Sequence, residues 1–257
     1  MEIANWLVDQ AVLFVLLLTR ISGMVMTAPV FGGNYIPNQI KVGFSLILTL
    51  VFLPVLAPEG IPDQQFMNIL LFAFMELMVG VAVGLLANLV FSAIQIAGQL
   101  LDVQMGFMMA RVMDPQYEEQ VPVIGQFKFM LAILVFLAIN GHHMLIRAIY
   151  ESYDNLPVGQ LVNLGEGGIF LNEMFSTVFV LALQVSAPAL GTLFLTNIAL
   201  GILARTIPQM NVFIIGFPVK IFIGFLALLL LMPFYNLVLG NLFQNIWEGL
   251  HELILIL

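Results

Sequence analysis

A chain of 257 residues with 61% hydrophobic and 9% charged residues cannot coat a soluble core, because ordinary globular domains carry roughly 25% charged residues. The net charge of −8, with seven basic residues scattered singly, leaves no basic patch and excludes nucleic acid as a partner. The absence of cysteine removes disulfides, thiolate metal sites and cysteine nucleophiles together.

A membrane protein is left, and helices are its default element, since lipid cannot satisfy backbone polar groups. The opening MEIANWLVDQ has no Lys or Arg, so it lacks the basic start of a cleaved signal peptide, and the first apolar segment is expected to remain in the mature chain. Residues 6–30 form the first long helix, carrying Asp9 and Arg20. FGGNYIPNQ (31–39) is a turn rich in Gly, Asn and Pro. A second helix spans 40–56, and APEGIPDQ (57–64) is a polar connection. Residues 65–104 are a third, very long apolar region, followed by DVQMGFMMARVMDP (102–115) and the polar loop PQYEEQVP (115–122). A fourth helix is expected over 124–150, a long loop over 151–168, a fifth helical region over 169–204, and a sixth over 212–239. The tail, 240–257, reads as an amphipathic helix.

Two of these regions exceed a simple span. Residues 174–204 as one helix would run about 46 Å, against a hydrocarbon core of about 30 Å. Pro188 near the middle is expected to kink or split it. Such lengths suggest helical hairpins, or helices buried in other protein. Small residues at i, i+4 (Gly80/Gly84, Ala93/Ala97 and Ala187/Gly191) suit close helix packing. In a six-span count, Lys41, Arg111, Lys128 and Arg205 fall in connections one, three and five, with Arg147 on the other side. The positive-inside rule then puts the odd connections in the cytoplasm.

No HExxH, GxSxG, P-loop or Rossmann glycine pattern occurs, and no acid, base and nucleophile converge as an enzyme requires. No cofactor is expected. Adjacent helical residues point about 100° apart, so His142 and His143 suit a polar helix end with one structural hydrogen bond better than a metal site. Charges inside apolar segments carry more meaning, because an intramembrane ionisable group is a functional hypothesis by default. Asp9, Arg20, Glu76, Lys128, Glu173 and Lys220 qualify. Arg20 and Glu76 are the candidate buried charges: Arg20 has a carboxylate to seek on another helix, and Glu76 has no basic residue nearby in sequence. They suit subunit packing better than an ion relay, which places several polar groups on one helix face. In RTIPQMNVFIIGFPVK (205–220), Arg205, Pro208, Gln209 and Asn211 make a polar turn between apolar helices, with Phe213, Pro218 and Lys220 beyond it. These seven residues are candidates for pore lining or subunit assembly.

That segment resembles the hallmark of the FliR/SctT family of type III secretion export-gate proteins. So do RISGMVMTAPVFGG (20–33), IPNQIKVG (36–43), MGFMMARVMDP (105–115) and NGHHMLIRAIYESYDNLPVG (140–159), in the same order. The IIGFP wording is similar to the flagellar branch rather than the virulence injectisome branch. The resemblance implies an all-α, hydrophobic helical membrane subunit of helical hairpins, similar to a FliP and a FliQ fused, forming one export-gate domain over 1–257. It implies a helical hetero-oligomer with FliP and FliQ, with FlhB packed against it and FlhA nearby, in the bacterial inner membrane at the flagellar basal body. Unfolded flagellar proteins would be its cargo, lipid its other surroundings, and catalysis no part of its role.

The resemblance also implies a use for the Met-rich stretch. In the family the matching segment, within about 102–122 here, forms a plug in the closed channel. Met105, Gly106, Phe107, Met108, Met109, Val112 and Met113 would make the seal, although this chain carries Met where the family carries Phe. Methionine is unbranched and polarizable and fills irregular gaps, a hydrophobic constriction closes by dewetting, and Gly106 lets the backbone turn. The rival readings are the equivalent injectisome subunit and a small-solute secondary transporter. The transporter needs polar groups converging at mid-membrane on broken helices; Pro188 and Pro218 offer the breaks, but the sequence offers no such cluster.

Overall fold

The computed structural model describes residues 2–33, 35–56, 65–107, 122–162, 164–207, 209 and 211–257. Seven helices and no strand occur among them: α1 (Glu2–Thr27), α2 (Asn38–Phe52), α3 (Phe66–Met105), α4 (Val123–Ala138), α5 (Gly141–Asn155), α6 (Leu164–Thr206) and α7 (Val212–Ile256). Four of them, α1, α3, α6 and α7, are long and apolar enough to cross a membrane, and α4 with α5 makes a bent fifth candidate. The six-span count is therefore corrected to four or five among the described residues. The second expected span, α2, is only 15 residues long.

Other boundaries shift for identifiable reasons. The fourth helix is broken by a 65° bend between α4 and α5, at Asn140, whose backbone is left-handed at φ 59°. Asn tolerates that conformation better than other side chains. Much of the expected loop over 151–168 is helical, because α5 continues to Asn155 and α6 starts at Leu164. ESYDN is the end of an amphipathic helix that buries Leu145, Ala148, Ile149, Ser152 and Tyr153 on one face. Its outer face carries an Arg147–Glu151 pair at 2.8 Å. The over-long regions are not hairpins. α3 runs unbroken for 40 residues and α6 for 43, with Pro188 inside it. The hydroxyls on either side of the proline bond back to their own helix, Ser186 to the Ala182 carbonyl at 2.7 Å and Thr192 to the Pro188 carbonyl at 3.0 Å. The tail is likewise the end of α7 rather than a separate helix. Lys128, counted above among connection charges, lies inside α4 and is buried, so it says nothing about topology.

The described residues divide into two compact units, 1–89 with 140–175 and 244–257, and 90–139 with 176–243. In the first, α1 buries Leu13, Leu16, Leu17, Arg20, Ile21 and Met24, a stripe at helical spacing. It meets α3 across glycines: a Cβ on Gly80 would run into the Arg20 carbonyl, and one on Gly84 into the Thr27 hydroxyl. The end of α7 belongs to the same unit and buries Ile246, Leu250, Leu253 and Ile254. In the second unit, Leu101, Met105, Ile124, Ala189 and Leu193 form the core. Phe91 gathers Phe129, Phe136 and Phe243 at 5.9, 5.4 and 5.5 Å between ring centroids. Of the small-residue pairs named above, Gly80/Gly84 marks a close crossing and Ala93/Ala97 is fully buried. Ala187 and Gly191 are exposed, with nothing near Gly191.

The α1–α3 crossing yields a prediction. Gly80→Val overpacks backbone against backbone, which costs about 1–3 kcal/mol, or roughly 2–12 °C in melting midpoint at this chain length. Gly191→Ala, at an open position inside α6, should instead raise the midpoint by roughly 1–4 °C, since alanine is favoured over glycine in a helix by about 0.5–1 kcal/mol. Thermal unfolding of the detergent-extracted protein reads both.

Candidate functional site

Three groups of residues carry chemistry that the apolar helices alone do not require. The first is a buried charge network in the first unit. Arg20 on α1 is 1% exposed and Glu76 on α3 is 3% exposed, and Arg20 Nε meets Glu76 Oε2 at 2.5 Å. The rest of the guanidinium is also used. Nη1 donates to the Ser152 hydroxyl at 2.9 Å and Nη2 to the Leu156 carbonyl at 3.0 Å. The Tyr153 ring centroid lies 4.0 Å from its central carbon. Glu76 Oε1 accepts the Gly159 N–H at 3.2 Å. Two charges thus hold α1, α3, α5 and the connection after α5 together. A buried ion pair stands only when its remaining donors and acceptors are also satisfied, and here they are met by backbone, hydroxyl and aromatic face.

The second group ends α3. Gly106, at φ +89°, terminates the helix with two bonds, Gly106 N–H to the Val103 carbonyl at 3.2 Å and Phe107 N–H to the Asp102 carbonyl at 3.0 Å. This is the Schellman pattern, which requires a left-handed residue and strongly prefers glycine. A Cβ there would also lie 2.6 Å from the Phe217 ring. Met105 is fully buried and reaches the backbone of α7 at Gly224, where a Cβ would lie 2.6 Å from its terminal methyl. Phe107 meets Phe225 edge to face at 6.3 Å. Asp102, buried on α3, accepts the Ile124 N–H at 3.0 Å and the Gly125 N–H at 3.1 Å. Those are free donors at the start of α4, where a carboxylate is favoured. The chain that leaves after Phe107 therefore returns to a point anchored at Asp102. Met108, Met109, Val112 and Met113 lie outside the described residues.

The third group is the turn between α6 and α7. Arg205, Gln209 and Asn211 are exposed, as is Pro218 inside α7, while Lys220 is half-buried. Asn211 starts α7, with the Ile214 N–H 3.1 Å from its carbonyl and 3.4 Å from its side-chain oxygen. Pro208 and the side chain of Phe213 lie outside the described residues.

In the sequence Asp102 has no evident role beyond heading the Met-rich stretch. The available signal was Pro122 opening an apolar helix with no acidic cap of its own, which leaves the helix start to a carboxylate from elsewhere. The two histidines lie with ring centroids 4.2 Å apart. His142 Nδ1 is buried without a hydrogen-bond partner, so the expected structural bond is not made at that atom. No set of three or more potential metal ligands gathers among the described residues.

Replacing Glu76 by Gln keeps the shape but leaves Arg20 as an uncompensated buried cation, a loss of about 3–5 kcal/mol. Arg20→Met with Glu76→Leu removes both charges and should recover most of that loss in the same melting assay. If the pair served as an ion relay, the double variant would fold yet lose its activity; packing predicts that activity survives.

Comparison with known proteins gives a consistent picture. The family described as bacterial export proteins, family 1, matches residues 11–246. The flagellar biosynthetic protein FliR of Bacillus subtilis (strain 168) is 38% identical over 255 residues, covering 97% of each chain. The protein of that name from Escherichia coli (strain K12) is 30% identical over 92% of this chain and 90% of its own. That of Aquifex aeolicus (strain VF5) is 30% identical over 89% and 88%.

Proposed function

The chain belongs to bacterial export proteins, family 1, and we propose from that membership that it is the FliR-type subunit of the flagellar type III protein export gate. The observation that carries this is end-to-end similarity to FliR proteins, joined to helices long and apolar enough to cross a membrane. It is a component of the flagellar export apparatus in the bacterial inner membrane. The finer reading is that it joins FliP and FliQ as one wall of the channel, with FlhB against it and FlhA nearby, and that unfolded flagellar proteins pass through. The chain acts as a structural subunit rather than an enzyme, and the energy for export comes from elsewhere in the apparatus.

Large apolar side chains support this reading by standing exposed along α6 and α7, among them Phe179, Leu195, Phe222 and Leu229. Patches of this kind on one chain call for lipid or partner subunits. Co-expression with the other export-apparatus genes, then mass measurement of the detergent-extracted complex, tests it. A complex containing FliP and FliQ is expected; a chain stable alone as a monomer would overturn it.

For gating, the proposal is that Met105 to Met113 plug the resting channel. Its fixed ends support this: Met105 and Gly106 are held against α7 and Asp102 binds the start of α4, so the soft seal falls to the methionines beyond them, Met108, Met109 and Met113. Met108→Gly with Met109→Gly should raise resting ion leak several-fold while export continues, as read by conductance of the reconstituted complex. Unchanged conductance would count against the plug. The connection between α6 and α7 with its flanking helix ends, Arg205, Pro208, Gln209, Asn211, Phe213, Pro218 and Lys220, is proposed as an assembly surface. Pro208→Ala or Asn211→Asp should lower the yield of co-purified FliP and FliQ by several-fold, and a full complement in both variants would remove it from the assembly surface.

A further inference from the structure

Lys128, in the second turn of α4, is only 4% exposed, yet it lacks what the other buried cation has. Arg20 is met by a carboxylate, two oxygens and a ring. Lys128 is met by a ring alone: its Nζ lies 4.9 Å from the Tyr235 centroid. The Tyr235 hydroxyl is directed elsewhere, donating to the Lys128 carbonyl at 3.3 Å. Among the described residues Lys128 makes no ion pair and no side-chain hydrogen bond. An aromatic face offsets only part of the desolvation of a buried ammonium, and no anion among the described residues supplies the rest.

The surroundings indicate its source. Beside Lys128 is a cavity of about 30 Å³ walled by Leu131, Val185 and Pro188. A groove of about 420 Å³ between α4 and α7 shares Phe127, Leu228 and Met232 with that cavity and has no charged lining residue. On α4, Val123, Phe127, Met130 and Leu134 stand exposed at helical spacing, and on α7 Phe225 and Leu229 face the same groove. An apolar furrow of this form receives the apolar face of another helix. A lipid phosphate fits less well. Its several oxygens would need further donors, and these walls supply one ammonium and a tyrosine hydroxyl already engaged.

We propose that the α4–α7 groove seats an apolar helix of another export-apparatus subunit, and that one carboxylate on that helix pairs with Lys128. This rests on the reading of the chain as a subunit of a multi-chain gate.

The test uses the full chain co-expressed with the other export-apparatus subunits. Lys128→Glu should cut the recovered complex at least ten-fold, and Lys128→Met should cut it less. Suppressors that restore export to Lys128→Glu should change one Asp or Glu of a partner's membrane helix to Lys or Arg. Because the chain has no cysteine, Met130→Cys with Lys128 intact gives an independent readout, and a crosslink to a partner subunit is expected. Wild-type yield with Lys128→Glu, or failure of Met130→Cys to crosslink any subunit within an intact complex, overturns the proposal. So does native mass showing an anionic phospholipid lost from Lys128→Met while every subunit remains. If the unaltered chain recovers no other subunit, the reading of the gate itself has failed, which that control separates from failure of the Lys128 contact.

Discussion

A guanidinium removed from water must have its donors met by protein, and Arg20 draws on separate stretches of chain to meet them. Glu76 comes from α3, Ser152 and Tyr153 from α5, and the Leu156 carbonyl from the connection after it. The demand is strict, because a buried charge left without a partner costs several kcal/mol. The glycines of α3 follow from it. Only with no side chain at Gly80 can α3 lie against the Arg20 backbone, one turn beyond Glu76. The first unit is thus organised around one ion pair and the backbone approach that permits it.

A comparable device at smaller scale governs the end of α3. Asp102 supplies the acceptor that the start of α4 lacks, and Gly106 supplies the backbone turn that no other residue makes cheaply. For the proposed plug, fixed ends suit a seal that must yield to cargo of any sequence: charge-assisted hydrogen bonds and backbone geometry hold the ends, and unbranched thioethers are the side chains that pack softly. Lys128 reverses this theme, as a buried charge with no anion beside it among the described residues. In a protein that exposes so much apolar surface, an incomplete polar site and an uncovered apolar groove have the same remedy in a neighbouring chain.

Much was legible in advance because it depends on composition and local period. The all-helical class, the long apolar segments around α1, α3, α6 and α7, and the turn at residues 205–211 follow from hydropathy and from Pro, Asn and Gly placement. Errors fell where one pattern has two physical solutions. The polar residues 151–155 read equally as loop and as the wet face of a helix, and only burial of Leu145, Ala148 and Ile149 decides for α5. Pro188 reads as a kink or a split, and α6 is not split there but runs through it. Asn140 carried no strong signal of a 65° bend, since Asn visits the left-handed region only where packing demands it.

The amino-acid sequence by itself determined that the chain is apolar, helical, free of thiol chemistry and similar end to end to export-gate proteins. Each of these is a property of composition or of order along the chain. Tertiary structure alone decided which charges meet. Arg20 and Glu76 are 56 residues apart, Asp102 and Ile124 are 22 apart, and Lys128 finds a ring but no anion among the described residues. Pairing of ions depends on distance in space and on the exclusion of water, and neither is written in the spacing of residues along the chain.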